Sequence, residues 1–589
     1  MATALSLATV VGAVGAASAA ARSATFTSTA HSSAVALSPL PGTPDASPNT
    51  QISILGVPRS QIQSARVVGS STGLHGGQFH AYSGRRGASF VLSRPLAQGE
   101  RVSVTVHIKG RAPIAYKFTV AHLAVDPPII NSPVQQPSKL QHFVSAPNLL
   151  PPKITVMRGA GSLKGDVFLT PLPSPVVHPE SNNAVSINPV GPGGPMIIDS
   201  HGRLIWFQQL PRPTVAADFR TQRLNGHPVL TWWQGQVTIA AYGLGEGVIA
   251  DPSYRTLKFV HAGNGYSADI HEFRLTPQGD ALFTVNSLVM IHLPGTAPGK
   301  LNLFLDSIVQ EVDVRTGLVV WEWHSLGHIP LKDSYVTPAL SPYFDAFHLN
   351  SIEPDGDGRV LVSARDTCAV YKIDKASGRI LWTLGGKAST FRLGPGARFW
   401  FQHDARPLPG NRVSLFDDEA GPPQKGPYSR GLVLKLDTRH RTARVARQYH
   451  RPGDNSPANS EGNVQTLPGG GVFLGFGSNP FFSAFSPSGQ LVFDARLPQD
   501  DGSYRSFTFP WSATPKTRPA AVVKSGSVYV SWNGATTVAR WQVLAGSKLI
   551  ASAPWRGFET RIPVGAGSGP FTVRALNRAG NVLARVSAQ

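Results

Sequence analysis

An internal repeat between about residues 156 and 512 limits most strongly how this chain can fold. One repeating unit has a first residue, five further residues, a proline, a glycine-containing turn and a hydrophobic strand pattern. Three copies begin with histidine, and they read HEFRLTPQGDALFTV from His271, HLNSIEPDGDGRVLVSAR from His348 and HDARPLPGNRVSLFDD from His403. Copies from Phe219 and Gly462 lack the histidine. Repeats of this kind indicate an architecture built from one structural unit used several times.

A second element follows the first in several copies, as a turn with glycine and then an aromatic residue. The aromatic residues are Trp206, Trp321, Trp382 and Phe493. Each pair of hairpins predicts a four-stranded antiparallel sheet. Units begin at 219, 271, 348, 403 and 462, and 156–210 supplies another. This period predicts a β-propeller with about six blades. A set of independent sandwiches is the alternative, but it does not explain the constant spacing to proline.

The whole chain is predicted to be all-β, because Gly (59) and Pro (50) are abundant and charged residues are only 15%. A chain of 589 residues is too long to fold around one hydrophobic core, so several domains are expected. Short alternating strand patterns on both sides of the repeat predict two further modules. The predicted organisation is a signal peptide (1–21), a Ser/Thr/Pro-rich linker (22–50), an immunoglobulin-like β-sandwich (51–124), a Pro-rich linker (125–155), the propeller (156–512) and a fibronectin type III-like β-sandwich (519–589) with Trp532 in its core.

The beginning of the chain and its charge suggest an exported protein. Residues 1–21 are uncharged and contain the small-residue sequence Ala17-Ser18-Ala19, which is typical of a signal peptide; a weak uncleaved anchor is the alternative. No other stretch approaches the length of a membrane span. The net charge of +20 is spread along the chain, and no nucleic-acid-binding motif accompanies it. A basic soluble surface explains this charge, and attraction of an anionic substrate is a narrower explanation. The single cysteine, Cys368, excludes an internal disulfide and is expected to be buried within a strand.

The repeat gives three histidines a special position. The innermost strands of a propeller surround its central channel, so His271, His348 and His403 are expected to converge at one mouth of it. Structural histidines are common in β proteins, but the two histidine-free units show that packing does not require this residue. No HxH or HExxH pair is present and no carboxylate shares the repeat position, so a site without metal is predicted.

Two polar residues near His348 suggest a site for a tetrahedral oxyanion. Asn350 follows His348 by two residues, so both side chains lie on the same side of a strand. Arg365 ends the next strand, and its planar guanidinium can bind two oxygens of such a group. An ion pair of Arg365 with Asp366, and a turn cap by Asn350, are the structural alternatives.

The segment DAFHLNSIEPDGDGRVLVSARDTCAVYKIDKASGRILWTLGGK, together with FQHDARPLPGNRVSLFDDEAG, resembles the arylsulfotransferase (arylsulfate sulfotransferase) family. The resemblance implies an exported six-bladed propeller that transfers a sulfuryl group from a phenolic sulfate ester to another phenol. It implies a transient sulfohistidine, with neither a nucleotide donor nor another cofactor. By motif, His403 resembles the nucleophile, and His271 resembles a further histidine of the channel. His348, Asn350 and Arg365 resemble the residues that bind the sulfuryl oxygens.

This chemistry needs a neutral imidazole nucleophile, fixed donors for the sulfuryl oxygens and a general acid–base. His271 or His348 could be that acid–base, and the sequence does not choose between them. The expected partners are a phenolic sulfate and a phenol, with no nucleic acid, no membrane span after signal cleavage, and contact of the end modules with the cell surface or wall. One alternative is a non-catalytic extracellular propeller that binds glycans or proteins. Another is a different propeller enzyme, such as a quinoprotein dehydrogenase or a metal-dependent lyase.

Overall fold

The computed structural model describes residues 35–129, 136–173, 175–178, 184–187, 191–297, 299–338, 343–356, 358–421, 423–565 and 569–589. The predicted signal peptide, 1–21, lies outside these ranges. The described residues form an all-β fold. Within them, helix occurs only as the 3-10 turns Arg59–Gln61, Pro137–Lys139 and Leu331–Asp333. None of the described helices has the length and apolarity that a membrane crossing requires.

The N-terminal module consists of two four-stranded sheets, in the orders β1-β2-β6-β5 and β4-β3-β7-β8. Alternate apolar residues of both sheets meet in one core, which includes Ile52, Val67 and Val104. The first strand lies inside the segment predicted as a flexible linker, so this module begins earlier than expected; Leu37 is buried in its core. The strands are β1 (Ala36–Ser38), β2 (Ile52–Leu55), β3 (Ile62–Gly69), β4 (Gly73–His75), β5 (Gly77–Ala81), β6 (Gly87–Leu92), β7 (Arg101–Ile108) and β8 (Ile114–Thr119).

The repeat region follows the predicted Pro-rich linker. Its strands are β9 (Thr155–Arg158), β10 (Asp166–Leu169), β11 (Pro171–Pro173), β12 (Pro175–His178), β13 (Ala184–Ile187), β14 (Met196–Ile198), β15 (Leu204–Phe207), β16 (Val215–Leu224), β17 (His227–Val237), β18 (Gly243–Ala250), β19 (Thr256–Val260), β20 (Phe273–Leu275), β21 (Asp280–Ile291), β22 (Asn302–Asp313), β23 (Val319–His324), β24 (Phe344–Asp345), β25 (Leu349–Pro354), β26 (Arg359–Ala364), β27 (Ala369–Asp374), β28 (Ile380–Gly385), β29 (Arg392–Leu393), β30 (His403–Leu408), β31 (Arg412–Asp417), β32 (Arg430–Asp437), β33 (Thr442–Tyr449), β34 (Asn463–Thr466), β35 (Val472–Gly475), β36 (Phe481–Phe485), β37 (Leu491–Arg496), β38 (Asp501–Ser503) and β39 (Phe507–Phe509).

These strands form six sheets that each contain four antiparallel strands in a row. The rows are β39-β10-β14-β15, β16-β17-β18-β19, β20-β21-β22-β23, β25-β26-β27-β28, β30-β31-β32-β33 and β34-β35-β36-β37, the last extended by β9. Sheet-to-sheet contacts follow the chain: β16 contacts β20, β21 contacts β25, β25 contacts β30, and β30 contacts β34. Contacts of β39 with β35 and β16 complete the circuit. The first row therefore joins the two ends of the repeat region in one sheet.

The aromatic residues that close the second hairpins are buried between sheets. Trp206, Trp321, Trp382 and Phe493 lie on the fourth strands of their rows and are at most 8% exposed. The first strands of three rows, β16, β25 and β30, each have a register shift near their start. Asp218, His348 and Asp404, at or beside these shifts, have positive φ angles of 57°, 52° and 56°. Such bulges re-aim side chains locally, here near the start of each of these strands.

The C-terminal module has two sheets, β40-β41-β44 and β43-β42-β45-β46. Trp532 is buried in its core, and its indole nitrogen donates to the carbonyl of Thr517 at 2.9 Å. The strands of the C-terminal module are β40 (Ala520–Lys524), β41 (Ser527–Ser531), β42 (Arg540–Ala545), β43 (Lys548–Pro554), β44 (Glu559–Pro563), β45 (Phe571–Leu576) and β46 (Val582–Ser587).

In the repeat region, Cys368 is buried as predicted. It lies in the turn between β26 and β27, with φ 50°, and not in a strand as predicted.

Candidate active site

His403 opens strand β30 and is only 1% exposed. Its Nδ1 lies 2.9 Å from Oδ2 of Asp418, the residue after strand β31. The backbone N–H of Glu461 donates to Nε2 at 3.3 Å. Because a backbone amide can only donate, Nε2 presents its lone pair and the ring proton lies on the Nδ1 side, toward Asp418. This is the tautomer that a nucleophilic Nε2 requires.

The surroundings of His403 keep its ring uncharged. Burial lowers the pKa of His403 well below 6.5, and the positive charge of Arg365 lowers it further. Burial also raises the pKa of Asp418, although Arg365 opposes that shift. The backbone N–H of Glu461 keeps Nε2 unprotonated, so the proton of the neutral ring lies on Nδ1 and faces Asp418.

His271 and His348 lie against each other, with ring centroids 4.8 Å apart and planes at 85°. Each has a carboxylate at Nδ1: His271 contacts Asp269, and His348 contacts Asp345 at 2.6 Å. All three histidines at the repeat position thus have an Nδ1–aspartate pair, although the aspartates occupy different places in the sequence. In each ring the nitrogen left for a substrate is Nε2.

His348 differs from His403 in its affinity for protons. Burial lowers the pKa of His348, but the carboxylate of Asp345 outweighs burial and raises the pKa above 6.5. Asp366 adds to this effect, while Arg365 opposes it. The site therefore places a ring that tends to be protonated near a ring that is neutral, an arrangement found where acid and nucleophile work together.

Arg365 forms the ion pair with Asp366 that sequence reasoning offered as its structural alternative, at 2.6 Å. Its guanidinium also donates to the carbonyl of Asn459 at 3.3 Å and lies 5.0 Å from the ring centroid of Phe401. Its backbone N–H donates to the carbonyl of His348 at 3.0 Å. The side chains of Arg365 and His348 are 16% and 17% exposed, so they form the edge of the cluster that meets solvent.

Asn350 is completely buried and does not cap a turn. Its side-chain amide donates to the carbonyl of Gln402 at 2.8 Å, directly before His403 in the chain. Its Oδ1 is buried without a hydrogen-bond partner among the described residues. Asn350 thus joins strand β25 to the start of strand β30, and one amide hydrogen remains for a ligand.

A buried charge network, which sequence reasoning missed, lies beside the histidines. Arg505 is 0% exposed, its Nη1 donates to Asp218 at 2.8 Å, and its Nη2 donates to the carbonyl of Asn350 at 2.8 Å. Glu272 accepts from Arg406 at 2.7 Å and also from Arg220. Opposite charges pair throughout, as buried charges must. The sequence does contain a pattern that points to part of this network. The segments HEFR and HDAR share a histidine, then an acidic residue, then an arginine at the same spacing.

The sequence showed no carboxylate at the repeat position, and the carboxylates that contact the histidines, Asp269, Asp345 and Asp418, come from turns and strand ends outside it. Asp345, His348 and Asp366 even bring ligand atoms within 4.8 Å of one another. Those atoms already have partners, however, in the Asp345–His348 and Arg365–Asp366 pairs. The geometry therefore favours a hydrogen-bonded imidazole cluster with an adjacent guanidinium over a metal site at these residues.

A neutral, oriented imidazole lies beside an imidazole of raised pKa and a guanidinium, and this arrangement is chemically suited to transfer of an anionic group. Residues 220–497 match the family model described as Arylsulfotransferase (ASST), and this match supports the resemblance to the arylsulfotransferase family. The matched family is one of aryl sulfotransferases with phenolic substrates, and the match supports this general activity. The matched segment contains the three histidines, Asn350 and Arg365.

No curated protein sequence matches this chain. Solved structures similar to it include a protein of unknown function from Bacteroides caccae (13% identity, 59% of this chain and 99% of that one, TM-score 0.33). They also include the periplasmic gluconolactonase of Pseudomonas aeruginosa (12% identity, 72% and 96%, TM-score 0.31). A third is virginiamycin B lyase from Staphylococcus aureus (10% identity, 64% and 95%, TM-score 0.27). These similarities are too remote to carry a functional argument.

Proposed function

We propose that this protein transfers a sulfuryl group from a phenolic sulfate ester to a phenol through a sulfohistidine on His403, without a nucleotide donor. One observation carries the proposal: His403 is buried and uncharged, with Nδ1 at Asp418 and an unprotonated Nε2 whose lone pair accepts from the backbone N–H of Glu461. Nucleophilic catalysis requires this form of the ring.

In the first step, the hydrogen bond from the backbone N–H of Glu461 to Nε2 of His403 breaks, and the freed lone pair of Nε2 attacks the sulfur atom of the donor. The N–S bond forms while the S–O bond to the aryl group breaks, and the phenolate leaves with the bonding electron pair. The sulfated ring becomes cationic, and Asp418, 2.9 Å from Nδ1, stabilises that charge. Arg365, at the solvent-facing edge, is suited to bind the non-bridging oxygens, and the remaining amide hydrogen of Asn350 can add one hydrogen bond.

His348 is the better candidate for the general acid–base, a choice that the sequence left open. Its pKa is raised by Asp345, so it can protonate the leaving phenolate. The neutral His348 then removes the proton of the incoming phenol, whose oxygen attacks sulfur as the N–S bond breaks. Its side chain is 17% exposed, whereas His271 is 4% exposed and packs against His348. His271 is assigned to positioning that ring.

We further propose that the six sheets of the repeat region are the blades of a propeller and that the end modules are immunoglobulin-like and fibronectin type III-like sandwiches. Contacts that pass from sheet to sheet and return to the first support the propeller. Two facing sheets in each end module support the sandwiches. The uncharged residues 1–21 support export, which would place the protein outside the cell or on its surface.

Single-turnover kinetics test the function directly. Mixed with excess 4-nitrophenyl sulfate and no acceptor, the enzyme should release one equivalent of 4-nitrophenol in a burst. The peptide that carries His403 should gain the mass of one SO₃ group. His403→Ala should show neither change, while His440→Ala, at an exposed histidine, should behave like the wild type. Turnover by His403→Ala would refute the sulfohistidine, and the absence of turnover in every protein would favour the glycan- or protein-binding alternative.

A further inference from the structure

A second histidine–carboxylate cluster lies where the N-terminal module meets the third sheet of the repeat region. It consists of Asp45, from the segment between β1 and β2, Asp306 on β22 and His324 at the end of β23. All three are buried, with at most 4% exposure, and their ligand atoms lie within 4.8 Å of one another.

The proton on one side of the His324 ring is assigned by its partner. Nε2 lies 2.9 Å from Oε1 of Glu322. The other oxygen of Glu322 accepts from the side-chain amides of Asn264 at 2.9 Å and Gln310 at 2.7 Å. A carboxylate with this set of donors accepts, so Nε2 carries a proton and donates it. This resembles the outer carboxylate that orients a metal-binding histidine.

The opposite side of the ring lacks a balancing charge. Nδ1 of His324 faces Oδ2 of Asp306 at 2.8 Å and Oδ1 of Asp45 at 3.0 Å. Asp306 has other donors for its second oxygen, but Oδ2 of Asp45 has no hydrogen-bond partner among the described residues, and its Oδ1 depends on the contact with Nδ1 of His324. Within those residues, no Lys or Arg pairs with Asp45, Asp306 or Glu322.

Three buried carboxylates around one imidazole need more positive charge than that ring can supply. Burying an unpaired carboxylate without a donor is costly, since it loses its hydration. A carboxylate oxygen of Asp45 lies with Nδ1 of His324 and an oxygen of Asp306 in one cluster, where a cation would supply the missing charge. A proton on the carboxyl group of Asp45, in place of a metal ion, is the competing explanation, because burial and the charge of Asp306 raise the pKa of Asp45 to about 7.

We propose that Asp45, Asp306 and His324 bind one first-row divalent transition metal ion of the Zn²⁺ or Mn²⁺ type. An imidazole nitrogen together with carboxylate oxygens is a donor set suited to these ions, whereas Ca²⁺ and Mg²⁺ prefer oxygen alone. The site is enclosed, as structural metal sites are. It would fasten the N-terminal module to the third sheet, next to the hydrogen bond from Ser47 to the carbonyl of Asn264 at 2.6 Å.

Metal content and thermal stability test this site. Full-length protein treated with EDTA and then dialysed against ZnCl₂ or MnCl₂ should retain one equivalent by elemental mass spectrometry, and its melting temperature should rise by several degrees. Asp45→Asn keeps the size of the side chain but removes its charge, and it should lose both the metal and the rise. Asp366→Asn is the matched control, because it disrupts the other candidate cluster, and it should retain both.

Several results would overturn the proposal. One is that the wild-type protein binds no metal and Asp45→Asn has an equal or higher melting temperature. That result would mean that a proton on Asp45 supplies the missing positive charge. Retention of the metal by Asp45→Asn, or its loss from Asp366→Asn, would place the ion elsewhere. If Asp45→Asn does not fold, Mn²⁺ bound to Asp366→Asn with ¹⁵N-labelled histidine provides the second measurement. Its pulsed EPR spectrum should show coupling to one imidazole nitrogen, and none would refute the site.

Discussion

At the scale of single residues, the role of each active-site imidazole follows from burial and from the carboxylate at its Nδ1. His403 and His348 occupy the same repeat position, yet their pKa values shift in opposite directions. Burial dominates at His403, and the positive charge of Arg365 lowers the pKa of His403 further. Asp345 dominates at His348. Equivalent backbone positions can therefore hold a nucleophile and an acid.

Replacing Asp345 should make kcat/KM begin to fall at a lower pH on the alkaline side of the pH–rate profile. His348 is protonated below its raised pKa and loses its proton as pH rises through that value, so this limb of the kcat/KM profile reports it. In Asp345→Asn, burial and Arg365 both lower the pKa of His348, and the alkaline limb should move to lower pH by about 1 unit or more.

The control for this experiment is Asp437→Asn. Asp437 contacts Nδ1 of His440 at 2.8 Å with the same three-residue spacing, but on an exposed surface. Its pH–rate profile should match that of the wild type. An unchanged alkaline limb in Asp345→Asn would remove His348 from the acid–base role.

Replacing Asp418 should slow the first chemical step while the protein remains folded. The amide of Asp418→Asn can donate to Nδ1 of His403, which forces the ring proton onto Nε2 and removes the nucleophilic lone pair. A comparable change of tautomer in serine proteases lowers kcat by about 10⁴-fold, and a loss on the order of 10² to 10⁴-fold is expected here. The burst of 4-nitrophenol measures it, with circular dichroism as the check on folding. A burst of wild-type rate would show that the tautomer is set by another group.

At the scale of elements, one guanidinium connects the first strands of several rows. Arg505 precedes β39 and contacts Asp218 of β16, the carbonyl of Asn350 in β25 and, at 3.2 Å, Asp404 of β30. Arg505→Met should lower the free energy of unfolding by about 3–5 kcal/mol, because Asp218 keeps a buried charge with one partner fewer. Urea unfolding followed by tryptophan fluorescence measures this. Arg540→Met, at an exposed arginine, should change it by less than about 0.5 kcal/mol, and an equal loss in both variants would contradict the argument.

Strands were the most predictable elements, because the repeat ties each to a proline and a turn. The units predicted from 271, 348 and 403 correspond to β20–β23, β25–β28 and β30–β33. Residues that enter the site from turns were not predictable in this way. Asp418 and Asp345 lie outside the aligned position, and Arg505 comes from a strand end beyond the last repeat. Strand β1 was missed because its Ser- and Pro-rich surroundings resemble a linker.

At the scale of the whole molecule, the formal net charge of +20 was given two explanations, a basic surface and attraction of anionic substrate. Under the second explanation, the excess charge attracts the proposed donor, which then meets Arg365 at the solvent-facing edge of the candidate site. A sulfate ester carries a negative charge and a phenolic acceptor is neutral near pH 7. The two substrates of one enzyme therefore differ in whether the long-range field of the protein acts on them.

Salt should consequently separate the two half-reactions. Between about 20 and 500 mM NaCl the Debye length falls several-fold, so kcat/KM for 4-nitrophenyl sulfate should decrease by about tenfold. The value for a neutral phenol acceptor should change little, and so should kcat, because the buried groups around His403 are screened weakly. Initial rates at several fixed acceptor concentrations measure both constants in the same preparation. If donor and acceptor respond equally, the excess positive charge serves the protein surface, and recognition of the sulfate depends on the groups in the site alone.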